Sequence, residues 1–292
     1  MRTATTGRPL DPRVLLELGR VSNLPTVWSN VLAGMVLAGG WLDTGPLLAV
    51  LLAASAMYVG GMFLNDAFDA EIDLRERPRR PIPSGRVARR TVFVAGFALL
   101  GLGFALLMAV SAIAGLIGLG LAGAITLYDA WHKGNLLSPL LMGLCRVLVY
   151  LIAGYAAVSA PDPALALGAG ALLAYLIGLT YVAKQEGLNE VRNLWPVALL
   201  AVPLLYALPA LAAGGLAMLL WIVFAIWVGY ALSFVMGGGH MRNVPRTVVS
   251  LIAGIALLDG LLIAWHGVGS LALVAVGCFA MTLAGQRWIS GT

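Results

Sequence analysis

Charge is what this chain has least of. Eighteen lysines and arginines and thirteen aspartates and glutamates make up 11% of its 292 residues, against 61% hydrophobic. A soluble domain of this length carries about twice that charged fraction, so a soluble globular class is excluded. Cysteine is almost missing as well. Cys145 and Cys278 stand in different apolar stretches with no C-x-x-C spacing, which argues against a disulfide framework or a cysteine metal centre. The three histidines, His132, His240 and His266, are scattered and form no ligand set. Period-2 alternation is lacking, which disfavours strands and a membrane barrel.

What the chain has instead is a series of apolar runs of about 20 residues, the length of a bilayer-crossing helix. They predict spans near 21–40, 46–64, 91–111, 113–131, 137–158, 164–183, 195–213, 216–236, 245–265 and 268–286. The fold class is an all-α polytopic transmembrane bundle of nine to ten helices. The first run lies too deep in the chain, and is too plainly one of many, to be a cleaved signal peptide. With no linker or soluble insert, residues 1–292 read as one domain, with 1–19 as a cytoplasmic N-terminal segment. The small residues of "AGLIGLGLAG" fit close helix packing.

Topology follows from the basic residues. Placing the N-terminus inside gathers Arg2, Arg8, Arg13, Arg20, Arg75 to Arg90, Lys133, Lys184, Arg192, Arg242, Arg246 and Arg287 on one side. The opposite loops, around Asp43, Ser111, Asp162, Gly214 and His266, hold no lysine or arginine, as the positive-inside rule expects. The net charge of +5 is thereby assigned to topology and anionic lipid rather than to nucleic acid. The expected location is a bacterial-type inner membrane, with chemistry on the cytoplasmic side.

One loop breaks the poverty of charge. "NDAFDAEIDLRERPRRPIPSGR", from Asn65 to Arg86, carries Asp66, Asp69, Glu71, Asp73 and Glu76 together with a run of arginines. Asn65, Asp69 and Asp73 are spaced i, i+4, i+8 and share one face of a continuing helix. Like charges at that spacing repel. A hard cation such as Mg²⁺, which takes one or two protein carboxylates and leaves the rest of its shell to water and phosphate, removes the penalty. The competing reading is a solvated acidic loop balanced by its arginines.

These residues resemble the UbiA family of intramembrane prenyltransferases. The N-D-x-x-D-x-x-x-D stretch is followed by "RPIPSG" at Arg80 to Gly85. Upstream, Arg20 and Asn23 of "RVSNLPTVWSNVLAG" are similar to the family's first-helix Arg-x-x-Asn pattern, and downstream Tyr128 and Lys133 of "LYDAWHKGN" to its fourth-helix Tyr and Lys. The resemblance implies a helical cavity open to the bilayer, in which Mg²⁺ holds the diphosphate of an isoprenyl donor. The allylic carbocation left by ionisation is captured by a nucleophilic small or lipid acceptor. It assigns the first metal site to Asn65, Asp66, Asp69 and Asp73. Arg20, Asn23, Arg80 and Lys133 become diphosphate contacts, with Asp69, Asp73, Lys133 and Tyr128 in the catalytic set. The family typically has nine spans.

A second Asp-rich motif is expected at the end of the sixth span, where this chain reads "TYVAKQEGLNEVRN". Glu186 and Glu190 keep the i, i+4 spacing and are the second pair of metal ligands by this reading, with Lys184 and Arg192 as substrate contacts; the alternative is a solvated helix end. The departure suggests a branch away from the quinone enzymes, similar to Ebo-cluster members. Arg146, within a span, is expected to meet diphosphate or the acidic cluster, because an unpaired charge there is expensive. Asp259 is expected near the outer face, far from the chemistry, as an inter-helix hydrogen-bonding acid. Asp129 is assigned to the helix end beside Lys133. Two other function classes compete: a catalytically impaired lipid-diphosphate binder and a transporter. Transport is disfavoured because the charge is bunched at one face rather than at midplane.

Overall fold

The computed structural model describes residues 11–132, 135–184, 195–236 and 243–289. They form helices joined by short turns, with no strand among the described residues. A short helix α1 (Pro12–Leu18) comes first, started by Pro12 and by the Asp11 carboxylate, which accepts from the Arg13 amide at 2.9 Å. It buries Val14 and Leu18 against Phe63, Ala67, Val87 and Val92, beneath the charged loop.

A single 3-10 turn at Val21–Asn23 leads into α2 (Pro25–Leu37). The expected first span is thus corrected. Its helix has 13 residues, about 20 Å, because the turn uses up its first residues and the helix stops at Leu37. Helix α3 (Thr44–Phe68) runs longer than expected, carrying its apolar register up to Asn65 and Asp66, and α4 (Ala70–Glu76) follows at once. Next come α5 (Arg89–Val110), α6 (Ala112–Trp131), α7 (Ser138–Ala157) and α8 (Pro163–Lys184). The expected division between spans 91–111 and 113–131 falls at Ser111: its extended backbone ends α5, and its hydroxyl accepts from the Ala114 amide to start α6.

The run at 195–213 is not one helix. It divides into a 3-10 stretch (Trp195–Ala201), α9 (Val202–Tyr206) and α10 (Ala210–Ala213). Pro203 and Pro209 lack the amide hydrogen a continuous helix needs, so each begins a new segment. Then follow α11 (Gly215–Met236), α12 (Val244–Trp265) and α13 (Gly269–Gly285). Seven helices among the described residues are long and apolar enough to cross a bilayer: α3, α5, α6, α7, α8, α11 and α12.

Helix α12 is the axis of the bundle. It packs against α2, α8, α11 and α13, and its most apolar stretch is 83% buried, against 28% for α5 and α11, whose flanks face outward. Close approach of α2 to α7 depends on Gly34, where a Cβ would fall 2.8 Å from the Tyr150 Cα. In the small-residue stripe, Gly115 and Gly118 lie tight against Met108 and Leu107 of α5, whereas Gly120 and Gly123 face open space. Only part of that stripe is a packing seam.

Candidate active site

The acidic face survives a break in the helix. Regular helical geometry lapses at Asp69, yet the Asp69 amide still donates to Asn65 O at 3.0 Å and the Asp73 amide to Asp69 O at 2.9 Å. The i+4 ladder therefore runs through from α3 into α4. Asn65, Asp69 and Asp73 stay on one face and line one wall of a cavity of about 480 Å³. Asp66, one residue off that ladder, does not line it. Its Oδ1 accepts instead from Arg20 at 2.9 Å and Arg80 at 3.2 Å, so the structure places Asp66 as the anchor for two arginines.

Both arginines are positioned by local backbone. Arg20, between α1 and the 3-10 turn, has φ 41°, in the left-handed region, and the Tyr58 hydroxyl donates to its carbonyl at 3.2 Å. Its guanidinium also donates to Asn65 Oδ1 at 3.2 Å. Arg80 gains its place from the "RPIPSG" turn: the Ser84 amide and hydroxyl both donate to Arg80 O, at 3.0 and 2.7 Å. Gly85 closes the turn at φ 74°, a conformation that residues with a Cβ adopt less readily. Arg80 Nη1 then reaches Asp73 Oδ2 at 2.8 Å. The loop is tied to α1 by Arg86, which donates to Glu17 at 2.7 and 3.0 Å. Those bonds push the Arg86 guanidinium above its usual pKa, so it stays charged.

The other walls come from α6, α7, α8 and α12. Tyr128 and His132 line the cavity with rings stacked at 5.0 Å, and His132 Nε2 lies 3.5 Å from Asp69 Oδ2. Sequence reasoning missed His132 as a cavity residue; its helical spacing four residues after Tyr128 was the available signal. Lys184, at the end of α8, also lines the cavity and donates to Asn135 O at 2.6 Å. Asn23 lines it too and accepts from Gln286 at 2.9 Å. Lys133, Glu186, Glu190 and Arg192 lie outside the described residues. Leu176, Leu179, Val248, Ile252 and Ile255 make the interior apolar.

Two buried acids have partners the sequence did not show. Asp129 lies near the end of α6, as expected, but it is buried, its Oδ1 accepts from Asn65 Nδ2 at 3.1 Å, and its Oδ2 has no hydrogen-bond partner among the described residues. It faces an apolar recess of about 90 Å³ that shares Tyr58, Met62, Tyr128, Met142 and Arg146 with the main cavity. Asp259 lines neither the cavity nor the recess, but it is linked to the cavity through other side chains. It accepts from Ser29, Asn30 and Tyr150, making the expected inter-helix bonds, and Asn30 in turn accepts from Arg146, which lines the cavity. The sequence distance of these groups hid their meeting. Arg146 itself contacts neither Asp69 nor Asp73 through an ion pair among the described residues.

Among the described residues no three His, Cys, Asp or Glu groups are arranged to hold a metal alone. The donors present fit Mg²⁺ in another way: Asn65, Asp69 and Asp73 offer hard oxygens on one wall, and the facing cations suit an anion that completes the shell. Cavity-lining groups number five cations, Arg20, Arg77, Arg80, Arg146 and Lys184, against three carboxylates, Asp69, Asp73 and Glu76. An excess of positive charge beside a carboxylate wall, above an apolar interior, suits a metal-loaded diphosphate with a hydrocarbon tail. Residues 27–244 match the UbiA prenyltransferase family.

The chain belongs to that family. It is a multi-pass integral membrane prenyltransferase. A digeranylgeranylglyceryl phosphate synthase of Methanopyrus kandleri is 31% identical over 93% of this chain and 97% of its own length. One of Ignicoccus hospitalis is 41% identical over 35% of this chain and 33% of its own. A solved structure concerning digeranylgeranylglyceryl phosphate synthase superimposes with a TM-score of 0.64 at 20% identity, covering 87% of this chain and 98% of that one. A UbiA homologue from Archaeoglobus fulgidus, bound to GPP and Mg²⁺, gives 0.54 at 15% identity over 94% and 99%. These structural likenesses bear on the fold.

Proposed function

We propose that this prenyltransferase is Mg²⁺-dependent and alkylates a hydroxyl of a glyceryl phosphate lipid, with its cavity mouth on the cytoplasmic side. The observation that carries the reading is the pairing of the Asn65–Asp69–Asp73 wall with the rim cations Arg20, Arg77, Arg80 and Lys184 over an apolar interior. Asn65, Asp69 and Asp73 would hold Mg²⁺ together with diphosphate oxygens. When bound, the metal supplies Lewis-acid stabilisation of the leaving group.

The chain's own residues do the rest. Arg80 and Arg20, already fixed by Asp66, present positive charge to the diphosphate as the allylic C–O bond breaks and its electron pair leaves with the diphosphate. Lys184 adds charge to the same mouth, and Lys133, next to His132 in sequence, is assigned the same task. Tyr128 and His132, stacked ring on ring at the cavity wall, would offer aromatic electron density to the developing allylic cation. The acceptor oxygen forms the new C–O bond and passes its proton to the released diphosphate. Support for a glyceryl phosphate acceptor comes from the relatives' shared name, and for Mg²⁺ from the Archaeoglobus fulgidus homologue. Support for sidedness comes from the loop charges.

The test is direct. Purified protein in lipid nanodiscs is given labelled geranylgeranyl diphosphate, geranylgeranylglyceryl phosphate and Mg²⁺. The expected product is the diether phosphate, formed only with metal. Diphosphate hydrolysis with no ether, or equal turnover in EDTA, overturns the reading.

A further inference from the structure

Arg146 lines the cavity from within α7 and stacks 5.6 Å over the Tyr58 ring. Its guanidinium donates to Asn30 Oδ1 at 2.9 Å and Thr26 Oγ1 at 3.0 Å, both neutral oxygens. No ion pair reaches it among the described residues. The nearest compensating charge is one amide away: Asn30 Nδ2 donates at 2.8 Å to the fully buried Asp259. Arg20 and Arg80, by contrast, sit directly on carboxylates.

That indirect pairing has a chemical consequence. A guanidinium has five N–H donors in a planar fork. A carboxylate placed directly on the fork would compete with an incoming anion for its bidentate geometry. An amide spacer leaves donors open toward the cavity, while Asp259 still offsets the cost of a cation inside the membrane. Depth separates this cation from the rim. Tyr58 precedes Asn65 by two turns of α3, about 10 Å along the helix. A diphosphate at Asp69 and Asp73 leaves Arg146 to meet a different anion.

We infer that Arg146 is a second anion station, which takes the phosphate of the acceptor lipid, and that Asp259 is a positioning residue that acts on it through Asn30. This rests on the glyceryl phosphate reading above. It accounts for a rim cluster of cations and one deeper cation in the same cavity: the rim binds the donor, and the deeper fork selects an acidic acceptor.

The test compares geranylgeranylglyceryl phosphate with its dephosphorylated counterpart, geranylgeranylglycerol, as acceptors. Wild type should prefer the phosphate by roughly a hundredfold in kcat/KM, the scale of losing one partner of a buried charged contact. Arg146→Gln should reduce that preference to a few-fold while KM for geranylgeranyl diphosphate stays within about twofold of wild type. Asp259→Asn should give an intermediate preference, again without moving donor KM. Should either variant fail to fold, Asn30→Asp serves: it sets a carboxylate on the fork and should abolish the preference. An unchanged preference in the folded variants, or a loss confined to donor KM, overturns the assignment. If wild type turns over neither acceptor, the acceptor reading fails, and binding of geranylgeranylglyceryl phosphate alone decides the station. Equal binding by wild type and Arg146→Gln overturns it; loss of binding in the variant upholds it.

Discussion

The hydroxyl of Tyr58 donates to the carbonyl of Arg20 at 3.2 Å, directly beneath a residue whose backbone is left-handed. A non-glycine residue in that region costs about 1 kcal/mol or more, so something must hold it. The bond from α3 does so, and the reward is a guanidinium aimed at both Asn65 and Asp66. Tyr58→Phe should remove about 1 kcal/mol of support. Donor KM is expected to rise several-fold with little change in melting temperature. An unchanged donor KM would show that Arg20 is fixed without Tyr58.

The acidic loop separates into metal-facing and arginine-holding carboxylates. Asp69→Ala should abolish turnover in folded protein, and Asp73→Asn should raise the Mg²⁺ concentration needed for half-activity. Asp66→Asn should act differently, raising donor KM through loosened Arg20 and Arg80 while leaving the Mg²⁺ midpoint in place. Titrating activity against Mg²⁺ at saturating donor separates these effects. A shifted midpoint in Asp66→Asn would return that residue to the metal site.

Glu186 and Glu190 are proposed as the second metal pair on their spacing and their position after the sixth expected span. Changing both to Gln should weaken the Mg²⁺ dependence of donor binding and cut turnover sharply, and Asp at both positions should keep part of the activity. Wild-type behaviour of the Gln pair at every Mg²⁺ concentration would leave Lys184 and Arg192 as the contacts there. Lys133→Ala should weaken donor binding without altering membrane insertion; equal affinity would make its charge topological.

Gly34 is the point where α2 and α7 meet, with the Tyr150 backbone inside the space a side chain would need. Gly34→Leu should cost on the order of 1–3 kcal/mol or prevent folding, since overpacking forces backbone to move. Gly120→Ala, with open space around it, should melt like wild type or slightly higher. Thermal unfolding in detergent compares the two.

The order of residues was enough to determine the helical class, the family, and the first acidic face. Those depend on local rules: a bilayer needs apolar runs of fixed length, and Asn65, Asp69 and Asp73 share a face through the helical period. The break in the 195–213 run was legible too, in Pro203 and Pro209, once the prolines are taken as helix starts rather than kinks. Tertiary structure alone decided which way the polar groups between the spans turn. Asp66 holds arginines because α1 and the "RPIPSG" turn converge on it. Asp129 is buried where Asn65 of another helix meets it, and Asp259 is linked to the cavity-lining Arg146 because Asn30, 229 residues away in sequence, stands between the two. In a bundle of helices that are apolar on nearly every side, hydrophobic periodicity does not orient a helix. Hydrogen bonds between distant polar side chains do, and no local pattern records their partners.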